Sequence, residues 1–149
     1  MLLIAHDIRS LHNVGAIFRS ADVFGVEKIY LTGYTGRPPR KEIAKTALGS
    51  EQRVKWEGRE DVTALIQLLR EQSYQLVALE TGTDAQSLTE FYPTESLALV
   101  IGNERDGIPA EVLSLCDFKV EIAMPGLKRS LNVSVAVGIA LFALTQKKH

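Results

Sequence analysis

The chain has 149 residues, 46% of them hydrophobic and 23% charged, with a formal net charge of −1 and a single cysteine. That length suits one domain able to bury about two-thirds of its unfolded surface, and the balance is that of an ordinary soluble globular protein. It excludes an internal disulfide framework, a multi-cysteine metal site and a protein with an overall basic excess.

In chain order, Leu2 to Ala5 is an unbroken apolar run that predicts a short buried strand. His6 to Asn13 reads as a polar loop with candidate helix caps at Ser10 and Asn13. Val14, Ile17, Phe18, Ala21 and Phe24 then recur at helical spacing, and Gly25 falls where a C′ glycine ends a helix. Lys28 to Thr32 predicts a second strand, and Gly33 to Pro39 a loop. Glu42 to Leu48 predicts a short helix stopped by Gly49, and Val54 to Glu57 a third strand. Asp61 can cap a helix through Arg70, whose Val62, Leu65, Ile66 and Leu69 share one face.

Gln75 to Glu80 predicts a strand ending at Thr81-Gly82, followed by a weak apolar segment from Leu88 to Phe91. Leu97 to Ile101 is the most uniformly apolar strand, and Pro109 sits well as the first residue of a helix to Leu115. Phe118 to Ile122 is the last predicted strand. Ser130 and Asn132 mark the start of a final helix, Val133 to Leu144, that is apolar on nearly every side. Such a helix is buried in a core or an interface. It is shorter than the roughly 20 residues of a membrane span, and Met1 to Ala5 is unlike a secretory leader. The expectation is one soluble cytoplasmic domain over residues 1–149.

Strands and helices alternate from end to end, which predicts an α/β domain around a mainly parallel sheet with helices on its flanks. Ligands of such sheets bind outside the carboxyl ends of the strands. Three polar loops occupy those ends: the one before Val14, the one at Gly102 and the one at Gly126.

Several chemistries are absent from these loops. No G-x-G-x-x-G follows the first strand, and Ile108-Pro109 replaces the Lys-Ser/Thr that a phosphate-binding loop needs after Gly102-x4-Gly107. There is no G-x-S-x-G nucleophile elbow. His6 and His12 lie in one predicted loop without a third ligand and read as loop hydrogen-bonders, so no metal is expected. Cys116 ends an apolar run and reads as buried filler. Cations cluster locally at Arg37, Arg40, Lys41 and Lys45, at Lys128 and Arg129, and at Lys147 and Lys148.

Arg19 points away from the apolar stripe of the first helix. It is either a solvated surface arginine or a fork for phosphate or carboxylate oxygens. Glu104 is either an exposed loop carboxylate or a hydrogen-bonding partner of a neighbouring loop.

Three stretches resemble, in order and with matching gaps, the motifs of the SpoU/TrmH-type RNA 2′-O-ribose methyltransferases of the SPOUT superfamily. They are Asn13 to Val26 (NVGAIFRSADVFGV), Leu99 to Pro109 (LVIGNERDGIP) and Ile122 to Ala136 (IAMPGLKRSLNVSVA). The resemblance covers essentially the whole chain and implies a minimal version without an accessory RNA-binding domain. It implies an α/β fold with a C-terminal trefoil knot, an exception to the rule against threaded chains. It also implies S-adenosyl-L-methionine as cofactor, tRNA or rRNA as substrate, and a homodimer through the first and last helices.

By position in those motifs, Thr81, Gly82, Ile101, Gly102, Ile122, Met124, Ser130 and Leu131 would line the cofactor pocket. Arg19, Asn13, Glu104, Ser130 and Asn132 would carry the reaction. The family gives Arg19 the part of proton acceptor, but a guanidinium stays protonated in proteins. The alternative is that Arg19 positions a phosphate and stabilises developing negative charge. Two other functions compete: a non-catalytic RNA-binding or assembly module of the same fold, and a small-molecule methyltransferase. Retention of Asn13, Arg19, Glu104, Ser130 and Asn132 argues against the first, and the cations from Arg37 to Lys45 argue against the second.

Overall fold

The structure, a computed structural model, describes residues 1–147, so the cation read at Lys148 lies outside the described residues. In chain order the elements are β1 (Leu2–His6), α1 (Leu11–Val23), β2 (Lys28–Thr32), α2 (Lys41–Ala47), α3 (Ser50–Arg53) and β3 (Trp56–Arg59). They continue with α4 (Val62–Glu71), β4 (Gln75–Leu79), β5 (Gln86–Ser87), β6 (Leu97–Ile101), α5 (Ala110–Leu113), β7 (Phe118–Glu121) and α6 (Val133–Gln146).

The strands form one seven-stranded sheet in the order β3-β2-β1-β6-β4-β7-β5, with every named pair parallel. Side chains alternate between the faces of a strand. Leu3 and Ala5 therefore join one apolar cluster with Ile17 and Phe18 of α1 and Val137 and Leu141 of α6. Leu2 and Ile4 join a second cluster with Leu65, Ile66 and Leu69 of α4 and Val112 of α5. Helices cover both faces, which is why the central strands are unbroken apolar runs. α1 and α2 meet closely at Gly15, where an added Cβ would stand 2.2 Å from the Ile43 carbonyl oxygen.

The local differences from expectation have local causes. Ser10, not Asn13, caps α1, because its Oγ accepts from the Asn13 N–H at 3.2 Å. α3 is unpredicted: its Ser-Glu-Gln-Arg sequence has no apolar period, and Gly49 at φ 92° starts it. β3 begins two residues late because Val54 closes α3 and turns inward. His6 belongs to β1, with Nδ1 2.9 Å from Thr32 Oγ1, and His12 belongs to α1, so they do not share a loop.

α6 buries Val137, Ala140, Leu141 and Leu144 but leaves Val135 50% and Phe142 54% exposed. Its own sheet covers one side only. Among the described residues no helix is long and apolar enough to cross a membrane.

Candidate active site

Five loops leave the carboxyl ends of β1, β2, β4, β6 and β7, and hydrogen bonds tie four of them together. The loop after β1 is held from beneath: Thr35 Oγ1 accepts from Ile8 N–H at 2.9 Å and donates to the Ala5 carbonyl at 2.9 Å. From the β6 side, Glu104 grips the same loop. Its carboxylate accepts from the N–H groups of Arg9 at 2.8 Å and Ser10 at 2.9 Å, and from Asn13 Nδ2 at 3.0 Å. Burial pushes the Glu104 carboxyl up, but these three donors outweigh it and hold it below its ordinary range.

Asn103 fixes the shape of the loop that carries Glu104. Its Oδ1 accepts from the N–H groups of Arg105 and Asp106, each at 2.9 Å, and its Nδ2 donates to the Asp7 carbonyl at 2.9 Å. The turn closes at Gly107, where φ is +69°. Glu80, just past β4, then accepts from Ile108 N–H at 2.8 Å.

Between β7 and α6, Arg129 Nη1 donates to the Met124 carbonyl at 2.8 Å. Asn132 ends that loop as the cap of α6, its Oδ1 accepting from Ser134 N–H at 2.9 Å while Nδ2 donates to Asn13 Oδ1 at 3.2 Å. Asn13 thus joins Glu104 to Asn132.

The loops after β4, β6 and β7, with the start of α6, wall a cavity of about 280 Å³. Thr81, Ile101, Gly102, Ile122, Met124, Ser130 and Leu131 line it, together with Glu104. Gly82 does not line it, and its N–H points to Glu121 Oε2 at 3.4 Å. Asn13 and Asn132 stand behind the lining, joined to it through Glu104 and the start of α6.

Arg19 is exposed and lies elsewhere, in a groove with Ser20, Lys45, Thr46, Ser134 and Val135. The first turn of α6 is the wall between the two: Val133 and Ala136 face the cavity, Ser134 and Val135 the groove.

Glu80, Asn103, Arg105 and Glu121 also line the cavity and are not candidates from the sequence, which marks Arg129, a further lining residue, only as part of a cation cluster. Their one shared sequence signal is position, since all lie at or after the ends of predicted strands, at the carboxyl edge. Among the described residues no group of His, Cys, Asp and Glu is arranged to hold a metal. The Cys116 thiol, pushed up to about 11 mainly by burial and further by Asp117, is protonated at neutral pH and no nucleophile.

A parallel α/β sheet with a cavity walled by three strand-end loops and a capped helix defines a ligand-binding α/β domain. The model of the SpoU rRNA Methylase family matches residues 1–142, and the chain belongs to that family.

It is 31% identical over 152 residues to the tRNA (guanosine(18)-2′-O)-methyltransferase of Aquifex aeolicus, covering 100% of this chain and 70% of that protein. Against other curated relatives it spans 59–60% of their length. Among solved structures, an AdoMet-bound rRNA methyltransferase from Sinorhizobium meliloti superposes with a TM-score of 0.89 at 27% identity, over 95% of this chain and 54% of that one. A structure described as giving insights into the 2-OH methylation of C/U34 on tRNA has a TM-score of 0.88 at 26% identity, over 98% of this chain and 94% of that one.

Proposed function

We propose that this chain is an S-adenosyl-L-methionine-dependent methyltransferase acting on a ribose 2′-hydroxyl of tRNA or rRNA in the cytoplasm. The observation that carries it is the cavity between the β4, β6 and β7 loops, joined through Asn13, Glu104 and Asn132 to the start of α6. The residues present fit the cofactor. Leu79, Ile101, Ile122 and Leu131 offer apolar faces to a flat adenine, while Glu80 and Glu121 offer negative charge to a sulfonium and an ammonium.

The bound cofactor would supply an electrophilic methyl group. The protein's share of the work is to hold the ribose, exclude water and stabilise the charge that grows on the 2′-oxygen. Asn13, Ser130 and Asn132 would orient the substrate, and Glu104 would keep the motif loops in register. Arg19 would bind the neighbouring phosphate and stabilise developing negative charge rather than take the proton, since its guanidinium stays charged.

Gly82 keeps a part as a backbone flank of the cofactor, and Thr81, Gly102 and Met124 complete its enclosure. The domain is taken as one unit over residues 1–149, with the segment from β6 onward tied in a trefoil knot. The functional form is a homodimer through α1 and the uncovered face of α6, where Val135, Ile139 and Phe142 are exposed.

The test is transfer of labelled methyl from S-adenosylmethionine to tRNA and rRNA isolated from cells lacking the protein, with 2′-O-methyl sites mapped afterwards. Cofactor binding by calorimetry and ribose methylation together support the enzyme. RNA binding with neither of them would favour the non-catalytic module.

A further inference from the structure

We infer that the ring of Tyr34 is a platform on which a base of the RNA flanking the target ribose stacks. The inference rests on the RNA methyltransferase reading above and names a substrate contact for it. Tyr34 follows β2, on the carboxyl edge of the sheet beside the active-site loops. Its side chain is 61% exposed, yet it is not a loose surface ring. Its hydroxyl is 2.7 Å from Asn103 Nδ2, and its own N–H donates to Asp7 Oδ1 at 3.0 Å. Asn103 in turn lines the cofactor cavity and precedes Glu104.

The backbone is shaped to hold the ring there. Asp7 has φ +53°, uncommon for a residue with a side chain, and Gly33 has φ +60°. A Cβ at Gly33 would stand 1.9 Å from Asp7 Oδ1, so a side chain there would displace the carboxylate that holds the Tyr34 N–H. Strained backbone of this kind concentrates at functional sites. A solvent-facing aromatic fixed at both ends has already lost its freedom, so stacking a base on it costs little further ordering.

Two cations flank the rim. Arg9 donates its N–H to Glu104 and Arg105 its N–H to Asn103, and both side chains are exposed. Among the described residues neither guanidinium has an ion-pair partner. An exposed aromatic face on a rim whose neighbouring loops carry unpaired arginines suits unpaired RNA, where bases stack and phosphates are neutralised. Asp7 and Asp106 lie close by, so charge alone does not mark this rim as an RNA surface; the ring does.

The experiment compares wild type with Tyr34→Phe and Tyr34→Leu. It measures kcat and KM for tRNA and rRNA from cells lacking the protein, anisotropy with a labelled mixed-sequence single-stranded ribo-oligonucleotide, and cofactor affinity. Tyr34→Phe keeps the ring and loses only the hydroxyl anchor, so RNA affinity stays within about threefold of wild type. Tyr34→Leu keeps bulk without a π face and weakens RNA binding by about tenfold or more. Cofactor affinity is unchanged in both.

Equal RNA binding by Tyr34→Leu and wild type overturns the platform and leaves the methyltransferase reading standing. Equal losses in both variants also overturn it and leave a positioning role for the hydroxyl. A wild-type protein that neither binds nor methylates RNA overturns the underlying reading, and this inference with it.

Discussion

Glu104 Oε2 accepts from Asn13 Nδ2 at 3.0 Å across 91 residues of sequence, and Asn13 Oδ1 accepts from Asn132 Nδ2 at 3.2 Å across 119. One asparagine on the first helix therefore joins the loop after β6 to the cap of α6. The three segments that carry the family's motifs meet at that side chain. A carboxylate is needed on one side of it because Glu104 also accepts two backbone N–H groups, and only an anion offers so many acceptor sites at that place.

The first prediction concerns that anion. Glu104→Gln replaces an acceptor oxygen with a donor that faces donors, and a charged hydrogen bond of this kind is worth about 1.5–3 kcal/mol. The variant should fold, melt several degrees lower and transfer methyl groups about 10²-fold more slowly, as a displaced loop can cause. The pH dependence follows from the lowered Glu104 pKa. A carboxyl depressed on folding stabilises the protein fully above the ordinary glutamate value of 4.5 and loses that contribution as pH falls through its lower folded value. The stability difference between wild type and Glu104→Gln, measured by denaturant titration, should hold steady at neutral pH and shrink below pH 4.5. A difference that stays constant into acid would show that the charge is not what holds the loop.

A second prediction tests how tightly the cavity's floor is built. A Cβ at Gly102 would lie 2.7 Å from the Gly107 carbonyl group and from Ile108 N, all of them backbone that cannot swing aside. Gly102→Ala should destabilise the fold by about 1–3 kcal/mol, the usual cost of overpacking. It should also weaken S-adenosylmethionine binding in calorimetry by about tenfold or more, because the displaced turn lines the cavity. Wild-type melting together with wild-type cofactor affinity would mean that the turn has slack the geometry does not suggest.

The third prediction concerns the uncovered face of α6. Phe142 is 54% exposed and packs edge-on against Phe24, with centroids 6.1 Å apart. An apolar row of this size on a helix otherwise sunk in the core marks an interface. Phe142→Glu should convert a dimer to a monomer in sedimentation at micromolar concentration, with methyl transfer falling alongside. Monomeric wild-type protein with full activity would remove the dimer from the proposal.

How far the sequence led can be read off particular residues. β6 was legible to the residue because Leu97 to Ile101 is buried on both faces and all apolar. α1 was legible because its stripe and Gly25 agree. α3 and β5 were not, since four polar residues and a two-residue edge strand carry no period; only Leu88 and Phe91, both buried, betrayed the segment near β5.

The site divides the same way. Motif residues such as Ile101, Ile122 and Ser130 stand at the cavity, but position alone could not reveal that Glu80 reaches across to Ile108 or that Tyr34 leans on Asn103. Those contacts join loops that meet only after folding, the β4 loop with that of its neighbour β6, and the β2 loop with the β6 loop across β1. Arg19 is the instructive residue: the helical wheel put it off the apolar stripe, and only the fold places it across the α6 wall from the cavity.

That placement sets the last prediction. Arg19 lies six residues along α1 from Asn13, about 9 Å by helical rise, so it can be removed without touching the Glu104 junction. Arg19→Ala should therefore leave S-adenosylmethionine affinity and melting temperature at wild-type values while lowering methyl transfer by about 10²- to 10³-fold, the usual cost of losing one charge-stabilising donor. Arg19→Lys keeps a charge but not the planar fork, and should recover only part of the rate. If Arg19 binds a phosphate, the losses appear in KM for RNA as well as in kcat, and wild-type RNA binding weakens as salt rises while the variant's salt slope is shallower by about one phosphate contact. Unaltered turnover by Arg19→Ala would take the arginine out of the mechanism and leave the charge on the 2′-oxygen to be stabilised from the Asn13, Ser130 and Asn132 side.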